Sequence, residues 1–94
     1  MAVYAIVRVD VHDSEEYARY AAIAGRAVED HGGEFLARGG PCEHLEGTGR
    51  ARNVIIRFPD METARTFYHS ADYQKALSYG LPASTRDYTL VEGV

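Results

Sequence analysis

The segment GGEFLARGG, residues 32–40, determines how the rest of the chain is interpreted. Two glycine pairs enclose a short, mainly apolar run that ends in Arg38. Glycine pairs interrupt regular structure because they adopt backbone angles that other residues avoid. The segment therefore predicts a strand from about Glu34 to Arg38, with a bend or bulge at Gly39-Gly40-Pro41. The strand either stops there or resumes through Cys42 to Glu46.

The residues before this segment predict a strand followed by a helix. Apolar side chains alternate from Ala2 to Asp10, which is the period of a strand with one buried face. Asp13 and Glu16 have the spacing of a helix N-cap and its capping box, and apolar residues at helical spacing follow. Gly32-Gly33 is expected to end this helix.

The residues after this segment predict a strand, a helix and a last strand. Alternation from Arg52 to Phe58 predicts the third strand. Asp60 is expected to cap the second helix, and Ser70 a continuation of it that ends near Gly80. The last strand is expected from Asp87 to Glu92.

The resulting order predicts one α+β domain over residues 1–94, with the ferredoxin-like βαββαβ arrangement and a four-stranded antiparallel sheet. Its helices cover one face of the sheet. The alternation assigns these residues to the covered face: Val3, Ala5, Val7, Phe35, Ala37, Val54, Ile56 and Phe58. It assigns these apolar residues to the uncovered face: Tyr4, Ile6, Leu36, Ile55, Tyr88 and Leu90. An exposed apolar patch of this kind predicts a homodimer with the two sheets face to face.

Composition excludes several classes of protein. A formal net charge of −4 disfavours nucleic-acid binding, which requires a basic surface. Cys42 is the only cysteine, so no intrachain disulfide forms, and this favours a cytoplasmic setting. Cys42 also has no cysteine or histidine partner at the spacing of metal ligands. We expect no signal peptide and no contact with a membrane. No nucleotide-binding motif occurs, and we expect no metal or cofactor.

Arginines on the uncovered face are the first candidate for a site. Arg8, Arg38 and Arg57 are expected there, one on each of three strands. One interpretation is an anion-binding cavity with tyrosine walls. The other is that these arginines pair with nearby acids such as Glu46, or with solvent. The glycine-flanked position of Arg38 makes it the strongest candidate.

Tyrosine, histidine and glutamate side chains complete the candidate site. Tyr68 and Tyr73 are expected to shape the cavity, although their helical spacing is also that of ordinary packing. Glu46 and His69 are the candidates for proton transfer; Glu46 is otherwise structural, and His69 otherwise lines the pocket. His31 is expected to cap the end of its helix.

Several blocks of the sequence resemble domain-of-unknown-function family 1330. The resemblance rests on the block from Gly32 to Gly40, on Leu45-Glu46-Gly47, on Phe58-Pro59 and on YHSADY at residues 68–73. It implies a ferredoxin-like fold in the dimeric α/β barrel superfamily and does not imply an activity. The family often carries an arginine where this chain has Ser78 to Pro82, so a ligand common to the family is not implied for this chain.

Together these features predict a cytoplasmic homodimer that binds a small anionic or aromatic molecule beside the sheet. Arg38 would hold the anion. If the protein is an enzyme, cofactor-independent proton transfer or oxygenation is expected. The alternative is a non-enzymatic structural or ligand-sensing dimer whose barrel is filled by side chains.

Overall fold

A computed structural model describes residues 1–94 and contains one antiparallel four-stranded sheet with the strand order β2-β3-β1-β4. This confirms the predicted ferredoxin-like arrangement. Its elements, in chain order, are β1 (Val3–Val11), α1 (Ser14–Asp30), β2 (Glu34–Arg38), β3 (Arg52–Phe58), α2 (Met61–His69), α3 (Ala71–Ala83) and β4 (Ser84–Glu92). None of the helices is both long and apolar enough to cross a membrane.

The helix ends form where the capping residues predict them. The side chains of Asp13, Asp60 and Ser70 accept hydrogen bonds from backbone amides three residues further on, at 3.2, 2.7 and 3.2 Å. Each satisfies a backbone donor that has no partner within its helix. At the end of α1, Nδ1 of His31 lies 2.8 Å from the carbonyl oxygen of Ala27, so His31 caps the helix as predicted.

The second half of the chain departs from the predicted boundaries. Residues 42–46 form no strand, and β4 begins at Ser84, three residues before the predicted start. The added residues form a strand because β1 extends to Val11, which pairs with Ser84. The helix continues through Gly80, where a stop was expected. A side chain at this position would collide with the ring of Tyr20, so this packing requires glycine.

One face of the sheet packs against the helices and the other is uncovered. The alternate residues of β1 and β3 that face the helices are buried: Val3, Ala5, Val7, Val9, Val54, Ile56 and Phe58. On the other face Ile6 pairs with Ile55, and both are only half-buried. Arg8 and Arg57 lie on this uncovered face, as expected, because they alternate with the buried valines and isoleucines.

The predicted position of Arg38 on the uncovered face is wrong. A bulge lies between Phe35 and Ala37, earlier than the glycine pair where the bend was expected. Phe35 pairs with Ile56 on the covered face, Ala37 pairs with Ile55 on the uncovered face, and Arg38 pairs with Val54 on the covered face. An extra residue in one strand reverses the faces of every residue after it. Arg38 therefore lies beneath the helices, and Ala37 does not.

The predicted faces of Tyr88 and Leu90 are also wrong. Tyr88 pairs with Val7 and Leu90 with Ala5, which places both on the covered face, against the core. The register between β1 and β4 decides this, and the sequence of β4 does not encode it. The uncovered patch is consequently smaller than predicted. Its apolar members are Tyr4, Ile6, Leu36, Ile55 and Val91.

Candidate functional site

A cavity lies between α1 and the covered face of the sheet. Its walls enclose about 430 Å³ of atom-free space including the open mouth, of which about 40 Å³ admits the centre of a water molecule. The enclosed part is therefore small, and most of the space belongs to the open mouth. Most of the lining is apolar: Val7, Tyr17, Tyr20, Ala21, Ala24, Gly25, Val28, Phe35, Val54, Ile56 and Tyr73, with Arg38 and Arg52.

Arg38, the last residue of the edge strand β2, lies at the mouth of the cavity. Its guanidinium carbon stands 4.1 Å from the centre of the Phe35 ring, and its Nη2 atom occupies the space next to Gly25 of α1. A Cβ at position 25 would approach this nitrogen to 2.5 Å, so glycine makes room for the guanidinium. Cation–π stacking holds the side chain while leaving its N–H donors free.

Arg52 is the second cation of the mouth. Its guanidinium packs against Gly39, where an added Cβ would overlap it, and lies 5.9 Å from the centre of the Tyr17 ring. Its Nε atom is buried and makes no hydrogen bond with the protein. The backbone of Gly39 has a positive φ of 70°, so glycine serves both the turn and the close approach.

Two tyrosines of the cavity lining are hydrogen-bonded to each other and to an arginine outside the lining. The phenolic oxygens of Tyr20 on α1 and Tyr73 on α3 lie 2.9 Å apart. Nη2 of Arg86, on β4, donates to both of them, at 3.0 Å to Tyr20 and 2.9 Å to Tyr73. We call these three residues the phenol–guanidinium cluster. It joins the two helices to the last strand of the sheet.

The positive charge of this cluster has no carboxylate partner. The ion pairs of the protein join Arg19 to Glu16 and Arg50 to Asp10 and Asp87, and none includes Arg38, Arg52 or Arg86. Nη1 of Arg86 is buried and makes no hydrogen bond with the protein. Burial alone would lower the pKa of Arg86, but the adjacent oxygens of Tyr20 and Tyr73 outweigh it and raise the pKa. Arg86 therefore stays charged.

Tyr73 of the cluster and the neighbouring Tyr88 are neutral hydrogen-bond donors at ordinary pH. Burial raises the pKa of Tyr73, and the neighbouring Tyr20 adds to this. Burial likewise raises the pKa of Tyr88, whose buried hydroxyl makes no hydrogen bond with the protein. Tyr68 packs against both Tyr73 and Tyr88, with ring centres 5.4 and 5.1 Å away.

The structure brings together only some of the residues that the sequence singled out. Tyr73 and Arg38 both line the cavity, whereas Tyr68 lies behind Tyr73 and does not. His69 is exposed at the end of α2, with its ring against Tyr68, and Glu46 is exposed in the loop between β2 and β3. Neither lines the cavity, and Glu46 forms no ion pair with Arg38. Their roles in proton transfer stay predictions.

The loop between β2 and β3 is tied to the uncovered face instead. Arg50 donates to Asp87 through Nε and to Asp10 through Nη1, both at 2.9 Å. Sγ of Cys42 lies 3.4 Å from the side-chain nitrogen Nδ2 of Asn53. It lies 3.8 Å from Nε2 of His44, which is on the same exposed loop. No group of three or more His, Cys, Asp or Glu side chains is arranged to hold a metal ion.

Sequence reasoning missed Arg52 and Arg86. Arg86, Tyr88 and Leu90 have the alternation of one strand face, which was the available signal. The predicted strand began at Asp87, so Arg86 fell outside it. Arg52 was recognised as the start of β3, but its position in line with Val54 and Ile56 was not taken as a sign that it enters the covered side.

Comparison with known proteins gives a family but no activity. The sequence profile of a domain of unknown function, DUF1330, matches residues 2–94, which is nearly the whole chain. A search of curated proteins finds no significant match.

Solved structures share the fold at low sequence identity. RPA0582, a protein of unknown function from Rhodopseudomonas palustris, has a TM-score of 0.80 and 16% identity over 99% of this chain and 82% of its own. A dimeric ferredoxin-like protein of unknown function from Jannaschia sp. CCS1 has a TM-score of 0.79 and 13% identity over 99% and 100%. SnoaB, a cofactor-independent oxygenase from Streptomyces nogalater, has a TM-score of 0.70 and 17% identity over 99% and 93%. At these identities the similarity establishes the fold alone.

Proposed function

The chain belongs to the DUF1330 family of domains of unknown function, and we propose that it binds a small anionic molecule in the cavity between α1 and the sheet. The observation that carries this proposal is that Arg38 and Arg52 in the cavity lining, and Arg86 against the lining residues Tyr20 and Tyr73, have no carboxylate partner. A guanidinium without an acid partner keeps N–H donors that suit an anion. A ligand carboxylate accepts such donors.

The mouth of the cavity holds the anionic group in this proposal. Arg38 is stacked on Phe35, and its N–H donors are not used by any acid of the protein. Arg52 stands on the other side of the same lining, with a buried Nε that has no partner. Guanidinium groups bind carboxylates through paired N–H donors, which suits this role.

The body of the ligand is apolar or aromatic. Between the arginines and the phenol–guanidinium cluster the walls are the side chains of Tyr17, Val54, Ile56 and Val28. Apart from the hydroxyl of Tyr17 these groups offer no hydrogen bonds to a polar chain, and an apolar or aromatic body buries area against them at about 25 cal/mol per Å². A short aliphatic or monocyclic acid has this combination of properties.

The functional unit in this proposal is a homodimer joined through the uncovered sheet face. Ile6 and Ile55 lie together at the middle of that face, and Leu36 and Val91 are exposed on it. Pairing two such faces removes this apolar area from water. The similar fold of the Jannaschia protein, which is described as dimeric, supports the same arrangement. We expect Ile55→Glu to give monomers in light scattering, and Arg65→Glu, on the exposed side of α2, to leave the assembly unchanged.

Cofactor-independent oxygenation is the second candidate function. It is favoured by the phenol–guanidinium cluster at the end of an apolar cavity, in a fold shared over 99% of this chain with the oxygenase SnoaB. A substrate-dependent uptake of oxygen with a hydroquinone as probe tests this candidate. Binding without turnover would favour the ligand-sensing alternative.

Thermal unfolding in the presence of small carboxylates tests the binding proposal. Valerate and benzoate, at about ten times their dissociation constants, are expected to raise the melting temperature by roughly 6–11 °C, since that occupancy is worth about 1.4 kcal/mol. Arg38→Ala should need several-fold more acid for the same rise. Arg65→Ala removes an exposed arginine from α2 and serves as the matched control.

Two results would contradict the proposal. If neither acid at tens of millimolar raises the melting temperature of the wild type, the cavity does not bind small carboxylates. If both acids stabilise Arg38→Ala and the wild type equally, binding occurs without Arg38 and its assigned role is wrong.

A further inference from the structure

The hydrogens of the phenol–guanidinium cluster can be counted from its contacts. Tyr20 and Tyr73 together carry two hydroxyl hydrogens, and the contact between their oxygens uses one. Both oxygens also accept a hydrogen from Nη2 of Arg86, which has two to give. One hydroxyl hydrogen is therefore left over, whichever tyrosine carries it.

No protein atom accepts this remaining hydrogen. The only hydrogen bonds made by the two hydroxyls are those with each other and with Arg86. The hydroxyl of Tyr88, whose ring packs against that of Tyr73, is buried and makes no hydrogen bond with the protein at all. Because Tyr20 and Tyr73 both line the cavity, the free hydrogen is available to a molecule inside it.

From this count we propose that the phenol–guanidinium cluster is a hydrogen-bond donor for a ligand oxygen, and that the ligand is a small oxo acid. The inference rests on the proposed binding of an acid at Arg38 and adds the recognition of a second oxygen at the opposite end. The charge of Arg86 behind the two phenols strengthens the donor, because it polarises the chain of hydrogen bonds toward the acceptor.

The geometry of Arg86 selects a single oxygen over a second carboxylate. A guanidinium binds a carboxylate through two neighbouring nitrogens, and each of its two forked edges includes Nη2. In this cluster Nη2 already donates to both phenols. A bidentate carboxylate at Arg86 would compete with these bonds, whereas one carbonyl oxygen accepts from the free phenolic hydrogen and leaves them intact.

Both ends of the proposed site lie along one short stretch of α1. Gly25, which faces Arg38, and Tyr20 are five positions apart on this helix. At a rise of about 1.5 Å per residue this is about 7.5 Å along the helix axis. A short oxo acid is therefore the appropriate probe, and levulinate carries its ketone two methylene groups from the carboxylate.

The test compares levulinate with valerate, the same straight chain without the ketone oxygen, by titration calorimetry. The wild type is expected to bind levulinate up to about tenfold more tightly, since one hydrogen bond from a polarised phenol is worth up to about 1.4 kcal/mol. Tyr20→Phe and Tyr73→Phe should each keep most of this preference, because the phenol that remains in each variant has a free hydrogen. The double variant Tyr20→Phe/Tyr73→Phe should lose it and bind the two acids equally.

Valerate affinity shows whether each variant still has a working cavity, and Tyr4→Phe, on the uncovered face, is the matched control. A second measurement needs no variant: the infrared carbonyl band of carbon-labelled levulinate should move to lower frequency when the acid binds the wild type. Equal affinity of the wild type for the two acids, or an unmoved carbonyl band, would overturn this inference while leaving the proposed function intact. Binding of neither acid would overturn both.

Discussion

Arg50 and Arg86 carry the same charge on opposite faces of one sheet, in opposite surroundings. Arg50, on the uncovered side, donates to Asp10 and Asp87 at 2.9 Å each. Arg86, on the covered side, donates to two neutral phenols and to no acid. Asp87 follows Arg86 directly in β4, yet strand alternation directs it to the other face, where Arg50 binds it.

The difference separates a structural arginine from one that is available to a ligand. Asp87, the acid next to Arg86 in the chain, is bound to Arg50 on the far side of the sheet. On the uncovered side the charge of Arg50 is thus neutralised, and its loop is tied to two strands. The covered side has positive charge and donors in excess, and this excess is the basis for the binding proposal.

Substitution of Gly80 tests the covered side with the largest expected effect. A Cβ on Gly80 would lie 2.5 Å from a ring carbon of Tyr20, which is buried and cannot move freely. Overpacking costs about 1–3 kcal/mol, and the better helix propensity of alanine offsets up to about 1 kcal/mol of it. Gly80→Ala should therefore lower the free energy of unfolding measured in urea.

Gly40→Ala is the control for this substitution, because an added Cβ there meets nothing within 4 Å and its φ is not positive. An unchanged stability of Gly80→Ala would show that the ring of Tyr20 moves easily. The phenol–guanidinium cluster would then not be held in place by packing.

Removing each arginine in turn tests the comparison itself. Arg86→Met takes away a half-buried cation that has no carboxylate and leaves no acid unpaired, so it should cost less stability in urea unfolding than Arg50→Met. Arg50→Met leaves Asp10 and Asp87 unpaired and should lower the stability. If Arg86→Met were the less stable of the two, its bonds to the phenols would be the main stabilising contact, and Arg86 would be a structural residue like Arg50.

Gly25→Ala separates stability from binding at the mouth. Alanine in mid-helix is better than glycine by up to about 1 kcal/mol, provided the flexible end of Arg38 moves aside. Acid binding should weaken several-fold, since the guanidinium is displaced from the lining. In an Arg38→Ala background the same substitution should leave the affinity unchanged, which a double-mutant cycle measures. Equal weakening in both backgrounds would mean that alanine acts by filling the cavity.

The smallest expected effect is the loss, at acid pH, of the stability that Asp10 contributes on the uncovered side. A hydrogen bond from the backbone N–H of Ala51, and then the bond from Arg50, lower the pKa of Asp10. The contribution of Asp10 to the free energy of unfolding is present above its unfolded-state pKa of about 3.9. It is lost as the pH falls through the lower pKa of the folded state. The stability advantage of the wild type over Asp10→Asn should therefore shrink between about pH 5 and pH 2. An advantage that stays constant over this range would show that Asp10 gains nothing from its partners.

Part of this structure could be predicted from the sequence because it depends on local rules. The bounds of β3 were predicted as observed, since its alternation is regular and Pro59 stops it. The helix starts followed from Asp13, Asp60 and Ser70, whose side chains bond backbone donors three residues away.

The candidate site depended on features that are not local. The bulge before Ala37 moved Arg38 to the opposite face, and no glycine or proline marks that position. The register of β4 against β1 decided the side on which Arg86 and Tyr88 lie. Alternation gives the relative faces of residues within one strand, but pairing fixes which face meets the helices.

Nuclear magnetic resonance of the arginine side chains during a levulinate titration tests the central claim most directly. We predict that the guanidinium signals of Arg38 and Arg86 shift together and saturate at one ligand per chain, while those of Arg50 stay in place. Saturable shifts that spare both Arg38 and Arg86, or shifts no larger there than at Arg50, would contradict the account.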